Sequence, residues 1–496
     1  MGETQSAHQE KIAATAQIPG AWLRDSEPPY RPPVNLAGFA PYVCEFIGTF
    51  ILVLTVGYVC INGNALWGPT AIAIVLMAMV YALGSISGGH LNPAVSITMG
   101  LLGKVPGGWR KVAAYVCTQL LAGIAAGAVV NTVFPQAQSI PFGPKDPYGW
   151  YGVMAVEVIY TGMLCFVVAN CAGSRSNNPE DDKNAFYGLA IGFVIVAAGY
   201  ACGSISGAAL NPAVSVGIDL AFWSDGLLWG FAYAFYQVLG AVVAAGLYFI
   251  IRSQEFAQDW SPQAELPIWT KALCEFLGTF ILVLTVGLNL VTRSKAVAWS
   301  AAAALMCMIY SLGDVSGGHF NPAVTLGVLL CGKDRNVKAL ALYPAAQAAG
   351  AAAAGLVYST LHRYGEFSKV TFMIGPLADY KWSQAMVAEF AFTFVLTFVV
   401  LSVACTSIKN SMTKHLNHAA MAIGACVTAG GFAVGNVSGG VLNPAVALGI
   451  TVANMFSDLR KFGTHMGRHI MPVFFSEAGA RLRYHPPTSR TMRSVS

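Results

Sequence analysis

SGGHLNPAV at Ser87–Val95, SGAALNPAV at Ser206–Val214, SGGHFNPAV at Ser316–Val324 and SGGVLNPAV at Ser438–Val446 are four copies of one stretch, and they decide how this chain folds. Each follows a long apolar segment and opens a short one, too short for a second full membrane crossing and long enough for half of one. Asn is a good helix N-cap, because its side chain satisfies a backbone N–H that the first turn leaves free. Pro suits the next position, where its missing N–H costs nothing. Each Asn-Pro-Ala-Val therefore predicts the start of a short helix, with irregular Gly-rich backbone leading into it. Inside a bilayer such backbone survives only where protein buries it or a wet cavity adjoins it. Two half-helices meeting by their N-termini would aim two positive dipole ends and two Asn amides at one point. A single Asn-Pro would be a plain turn; four in matched contexts are not.

Working outward, the 496 residues are 55% hydrophobic and 10% charged, against about 25% charged in soluble domains. The chain is a membrane protein on composition. A net charge of +5, spread along loops, gives no support for nucleic-acid binding. Eleven cysteines without a C-x-x-C pair suggest neither a disulfide framework nor a zinc site, and Cys165 and Cys307 read as small buried hydrophobes. No cofactor is implied, and no nucleophile–base pair or phosphate loop suggests an enzyme. Apolar segments at about 40–61, 68–86, 111–134, 150–172, 185–204 and 227–251 are each near the ~20 residues that cross hydrocarbon as a helix. The pattern then restarts: Cys44–Gly57 reads CEFIGTFILVLTVG and Cys274–Gly287 reads CEFLGTFILVLTVG. Asn92 to Asn321 is 321 − 92 = 229 residues, and Asn211 to Asn443 is 443 − 211 = 232. The chain is a tandem duplication. Each repeat is itself two sets of three spans, and an odd number per set inverts the second against the first, so the motifs enter from opposite faces.

On these four motifs at their spacing, the chain over residues 38–456 resembles the aquaporins, the major intrinsic protein family of water and small-solute channels. The resemblance implies an all-α membrane protein: two tandem aquaporin-like six-helix bundles with re-entrant half-helices, the second incomplete, about eleven spans in all. It implies a polar cytoplasmic tail at 1–37, a first unit at 38–252, a linker at 253–265, a second unit at 266–456 lacking its sixth span, and a basic tail at 457–496. The opening Met1–Ser6 also matches the short N-myristoylation template. The pore motifs are then Asn92, Pro93, Ala94, Asn211, Pro212 and Ala213, with Asn321, Pro322, Ala323, Asn443, Pro444 and Ala445 in the second unit. Family members assemble as tetramers of barrels, so a homo-oligomer in which two fused chains supply four barrels is expected.

With the N-terminus inside, fifteen Lys and Arg residues of the N-terminal tail and loops fall on the cytoplasmic face and six outside, in agreement with the positive-inside rule; eleven spans would leave the strongly basic C-terminal tail outside, against it. Plasma and vacuolar membranes are not distinguished. Glu45, Glu157, Glu275 and Glu389 sit in the first and fourth spans of each unit. An intramembrane carboxylate needs a partner; as anchors these four would accept hydrogen bonds from the motif loops, and as a relay they would carry protons in an active transporter. The resemblance favours anchors. His90 and His319 read as loop-packing or vestibule residues, since no second ligand stands at i+4; no metal site is expected. Asp314 reads as a solvated vestibule charge. Gly123 with Gly127, and Gly240 with Ala244, read as close helix contacts.

In water-selective family members the residue after the second motif's Ala is Arg, completing a narrow gate. Here it is Val214 and Val446. The remaining filter positions implied by the resemblance are Ile72, Gly199 and Ala208 in the first unit, and Ala301, Gly431 and Gly440 in the second. A wide, apolar mouth predicts a passive channel for water and small uncharged solutes: glycerol, urea, ammonia or hydrogen peroxide. The alternatives are a secondary transporter, which would need a coupling-ion site, and a non-conducting scaffold. After about Phe456, Arg460, Lys461, Arg468, Glu477, Arg481 and Arg483 leave no apolar window long enough to cross. Either the second unit lost its last span or the reading frame is altered there.

Overall fold

The computed structural model describes residues 38–135, 142–179, 184–222, 229–261, 265–332, 337–361, 372, 374–377, 379–405 and 418–458. The chain divides after Pro41, and residues 42–496 form one unit. The N-terminal tail with its myristoylation template, and the basic segment at 459–496, lie outside the described residues.

The first repeat contains α1 (Ala40–Ile61), α2 (Gly68–Ser87), α3 (Pro93–Leu101), α4 (Gly108–Val133), α5 (Trp150–Cys171), α6 (Tyr187–Cys202), α7 (Pro212–Ala221) and α8 (Trp229–Ile251). The second contains α9 (Ile268–Val291), α10 (Val297–Ser316), α11 (Pro322–Leu330), α12 (Val337–Leu361), α13 (Trp382–Ala404), α14 (Ala419–Ser438) and α15 (Pro444–Asp458). Among the described residues the architecture is all-helical, with eleven long helices and four short ones that begin at the motif prolines. Nine of the long helices have the length and composition to cross a membrane. The protein is a multi-pass membrane protein, as the apolar segments predict, with helix ends within a few residues of the expected positions.

The motifs shape these helices locally. Asn92 and Asn211 are extended, with φ −158° and −154°, and each side chain accepts a hydrogen bond from the N–H two residues on. Asn321 repeats this at φ −155°. The preceding helices α2, α10 and α14 all stop at a left-handed glycine, Gly88, Gly317 and Gly439. A side chain is strained at that φ, so glycine is the natural stop. Within the first repeat α5 packs on α8, α4 on α7 and α2 on α6. The second repeat packs α9 on α12, α12 on α15, and α10 on α14. The glycine positions permit this: a Cβ on Gly123 would collide with the Ala213 carbonyl, and one on Gly127 with the Gly217 carbonyl.

The two repeats adhere through α5 and α6 on one side and α9 and α10 on the other. Tyr160 and Thr285 share a hydrogen bond of 2.9 Å, and the Ser300 hydroxyl donates to the Ala197 carbonyl at 2.8 Å. Trp299 donates to Thr70 and stacks edge-on to Phe193. The join continues through a clasp in the 3-10 turn Ser253–Phe256 and the residue before it. Arg252 grips Asp314 with two bonds of 2.8 Å and reaches Asn170 at 2.6 Å. Asp314 is exposed, as the solvated reading expects, but it is also the bidentate partner of a buried guanidinium, found only when a segment 62 residues away is folded back onto it. Glu255 accepts from Ser174 and Tyr248 at 2.6 Å each, from the Ser176 N–H, and from Lys104 at 3.3 Å. Burial alone would raise its carboxyl. The two hydroxyls, the Ser176 N–H and Arg252 outweigh that and hold it at about 2.

Candidate functional site: two pores built on crossed asparagines

The four motifs meet in pairs. Asn92 Nδ2 donates to the Leu210 carbonyl at 2.9 Å, and Asn211 Nδ2 donates to the Leu91 carbonyl at 2.9 Å. In the second repeat Asn321 Nδ2 donates to Leu442 O at 3.0 Å and Asn443 Nδ2 to Phe320 O at 2.9 Å. Each Asn Oδ1 is taken by its own helix N–H. An amide has two N–H donors. One holds the opposite motif, which leaves the other for whatever occupies the adjoining cavity.

The carbonyls that accept these bonds belong to Leu91, Leu210, Phe320 and Leu442, all at φ between 48° and 51°. A bulky residue in this region costs about 1–3 kcal/mol and persists only where its surroundings over-determine it. The glutamates do that. Glu45 accepts from Ser87 Oγ at 2.6 Å, His90 N at 3.0 Å, Leu91 N at 2.7 Å and Gln119 Nε2 at 2.7 Å. Glu157 accepts from Ser206, Ala209 N, Leu210 N and Gln237, and Glu275 from Ser316, His319 N, Phe320 N and Gln347. These three carboxylates are fully buried and take four donors apiece. Glu389 takes Ser438 at 2.5 Å, Val441 N and Leu442 N, and is only half-buried.

The sequence carried a signal for the other half of each anchor that motif reading passed over. Tyr115 and Gln119, Tyr233 and Gln237, and Tyr343 and Gln347 stand at i, i+4 on one helix face. Each Tyr hydroxyl donates to the carbonyl of the motif Ser, Ser87, Ser206 or Ser316, at 2.6–2.7 Å.

Two cavities adjoin the crossed asparagines. The first, of about 1160 Å³, is lined by Asn92 and Asn211 and by Ile72, Gly199, Ala208 and Val214, the four positions that the resemblance assigns to a filter. The second, of about 580 Å³, is lined by Asn321 and Asn443 with Ala301, Gly431, Gly440 and Val446. The motif residues Pro93, Ala94, Pro212, Ala213, Pro322, Ala323, Pro444 and Ala445 open the short helices. His90 lines the first cavity with Nδ1 3.0 Å from Ser96 Oγ, and His319 lines the second with Nδ1 3.1 Å from Thr325 Oγ1. Among the described residues no group of three His, Cys, Asp or Glu side chains could hold a metal ion.

Paired half-helices around a polar waist in an apolar bundle define a membrane channel. The sequence profile of the major intrinsic protein family matches residues 35–231, 184–295 and 288–455, and the chain belongs to that family. Curated relatives include a probable aquaporin of NIP type from Nicotiana alata, 32% identical over 43% of this chain and 78% of that protein. Aquaporin NIP1-3 from Oryza sativa subsp. japonica is 33% identical over 42% of this chain and 73% of its own. A solved structure of the aquaglyceroporin from Plasmodium falciparum aligns at 21% identity and a TM-score of 0.38, over 44% of this chain and 99% of that one.

Proposed function

We propose that the first repeat conducts water together with small uncharged solutes such as glycerol, urea, ammonia or hydrogen peroxide. The observation that carries this is the crossed pair Asn92–Leu210 and Asn211–Leu91, which leaves an amide donor from each half facing one cavity. A chain of neutral molecules can exchange hydrogen bonds with such donors. A cation arriving there meets two positive helix ends. Ile72, Gly199, Ala208 and Val214 offer a mouth without a charged side chain, the basis for admitting solutes larger than water. Glu45, Glu157, Glu275 and Glu389 act as anchors of the motif loops, each engaged by backbone N–H groups rather than by a proton path.

The second repeat has the same crossed pair, but its fourth anchor is partly open, so most flux is assigned to the first. The boundaries 38–252 and 266–456 serve as the functional units, with the N-terminus cytoplasmic on the distribution of Lys and Arg. Two copies complete a ring of four barrels. The support is that α10, packed on α5 and α6 of the first repeat as well as on α9 and α14, is 78% buried over its most apolar stretch, while the same stretch of its counterpart α2 is 28% buried and leaves Ile74, Tyr81 and Ile86 exposed.

Stopped-flow light scattering of proteoliposomes tests the function. Osmotic shrinkage well above that of empty vesicles, followed by re-swelling in glycerol or urea, is expected. Shrinkage without any solute re-entry overturns the wide-mouth reading, and slow, ion-dependent uptake favours a coupled carrier.

A further inference from the structure

We infer that Lys145 supplies the outer mouth of the first pore with the fixed positive charge that its four filter positions lack, and so makes that pore reject cations. The inference rests on the channel reading above and adds a specificity-determining residue to it.

Lys145 lies on the segment between α4 and α5, which runs over the end of α6. Its backbone N–H donates to the Ile205 carbonyl at 3.2 Å, and its Nζ donates to the Gly203 carbonyl at 3.0 Å. Two residues back, Gly143 bonds the Tyr233 hydroxyl, which itself donates to the carbonyl of the motif residue Ser206. The segment is therefore fastened to the second motif loop. Gly203 is one helical turn beyond the filter residue Gly199, whose carbonyl its own N–H engages. A Cβ on Gly207, next to the filter residue Ala208, would lie 4.0 Å from Lys145 Nζ. Lys145, Gly199, Gly203 and Ala208 all line the first cavity. Asp146 lines it too, but among the described residues no carboxylate lies within ion-pair distance of Lys145. Lys145 is exposed, and its ammonium, held in place by the Gly203 carbonyl, repels a cation that passes within a few ångströms on its way to the apolar filter wall.

The second repeat provides the comparison inside the same molecule. At the equivalent place, 145 + 232, stands Leu377, whose N–H donates to the Val437 carbonyl at 3.0 Å as that of Lys145 does to Ile205. The backbone is retained and the charge is absent. Leu377 lines the second cavity, and Lys295 lines both, so Lys295 does not distinguish them. Arg293 lines the first cavity alone, so Arg293→Leu is measured beside Lys145→Leu and is expected to move the readout less, because Lys145 is the cation fastened to the end of α6.

The test uses the full chain in voltage-clamped oocytes with the second pore plugged by Ala301→Trp. The readout is the ammonium-evoked current divided by the osmotic water permeability of the same cells, compared among Lys145, Lys145→Arg and Lys145→Leu. The ratio is expected to rise roughly tenfold in Lys145→Leu and to stay near the parent value in Lys145→Arg. A clamp that acted only on α6 would change water permeability and surface expression without changing the ratio. Water permeability with an unchanged ratio in Lys145→Leu overturns the inference alone. No water permeability in the plugged parent, with the protein at the surface, overturns the channel reading and this inference with it.

Discussion

Glu157 and Glu389 hold the same place in the two repeats, and they are not equally supported. Glu157 is fully buried and closed off by Gln237 from α8, whose Tyr233 also fastens the motif loop. Glu389 keeps its motif-loop donors but has no glutamine among the described residues, and it is partly exposed. Counting on from Tyr233 and Gln237 by 232 residues gives His465 and His469, within the charged segment. The last span of a bundle therefore does more than wall the pore: it completes the cradle that keeps a leucine carbonyl in a left-handed turn. The cavity linings diverge as well, with Lys145 in one repeat and Leu377 in the other.

The sharpest way to break this comparison is to remove each carboxylate. Glu157→Ala strands a hydroxyl, two N–H groups and an amide in a buried site, at about 1–3 kcal/mol for each unsatisfied group. Loss of most folded protein in detergent is expected, followed by fluorescence-detected size exclusion. Glu389→Ala, in a site already half open, should lower the melting temperature by only a few degrees. Equal damage from both would mean that the fourth anchor is as complete as the second.

Next in size is the filter. Val214→Arg should cut glycerol permeability roughly tenfold while lowering water flux less, because a guanidinium narrows the mouth and about 1.4 kcal/mol added to a barrier is a factor of ten in rate. Val446→Arg should change total glycerol flux little if the first pore carries most of it.

The smallest effect concerns the join between repeats. The Glu255 carboxyl is held at about 2, below the ordinary glutamate value of about 4.3. A depressed carboxyl stabilises the fold above its unfolded pKa, and that contribution is lost as pH falls from about 4.3 toward 2. Glu255→Gln, with the carboxyl partly screened by nearby solvent, should remove roughly 1 kcal/mol at neutral pH and flatten the acid limb of a melting-temperature profile. An unchanged profile would show that the clasp adds nothing to stability.

Much of the fold could be read from the sequence because its decisive features are local. An Asn cap, a Pro at the first helical position and a stopping glycine act within a few residues, and a 229–232-residue repeat shows wherever it is counted. The four glutamates were visible as charges that an apolar helix does not tolerate without a partner. What local reading could not supply were the partners. The Tyr-x-x-x-Gln pairs look like ordinary polar positions in a span until the helix is placed against the motif loop. Asp314 looks like a lone solvated charge until Arg252 folds onto it. Lys145 looks like one loop cation among six, because its proximity to Gly203 and Gly207 depends on the path of a segment 58 residues away from them.

The central claim is that crossed asparagines in the first repeat form the main conducting waist. Osmotic water permeability of the full chain carrying Asn211→Ala, compared with Asn443→Ala at equal reconstituted amount, addresses it most directly. Asn211→Ala is expected to remove most of the flux and Asn443→Ala a minor part. Full water permeability in Asn211→Ala, or the larger loss in Asn443→Ala, would contradict it.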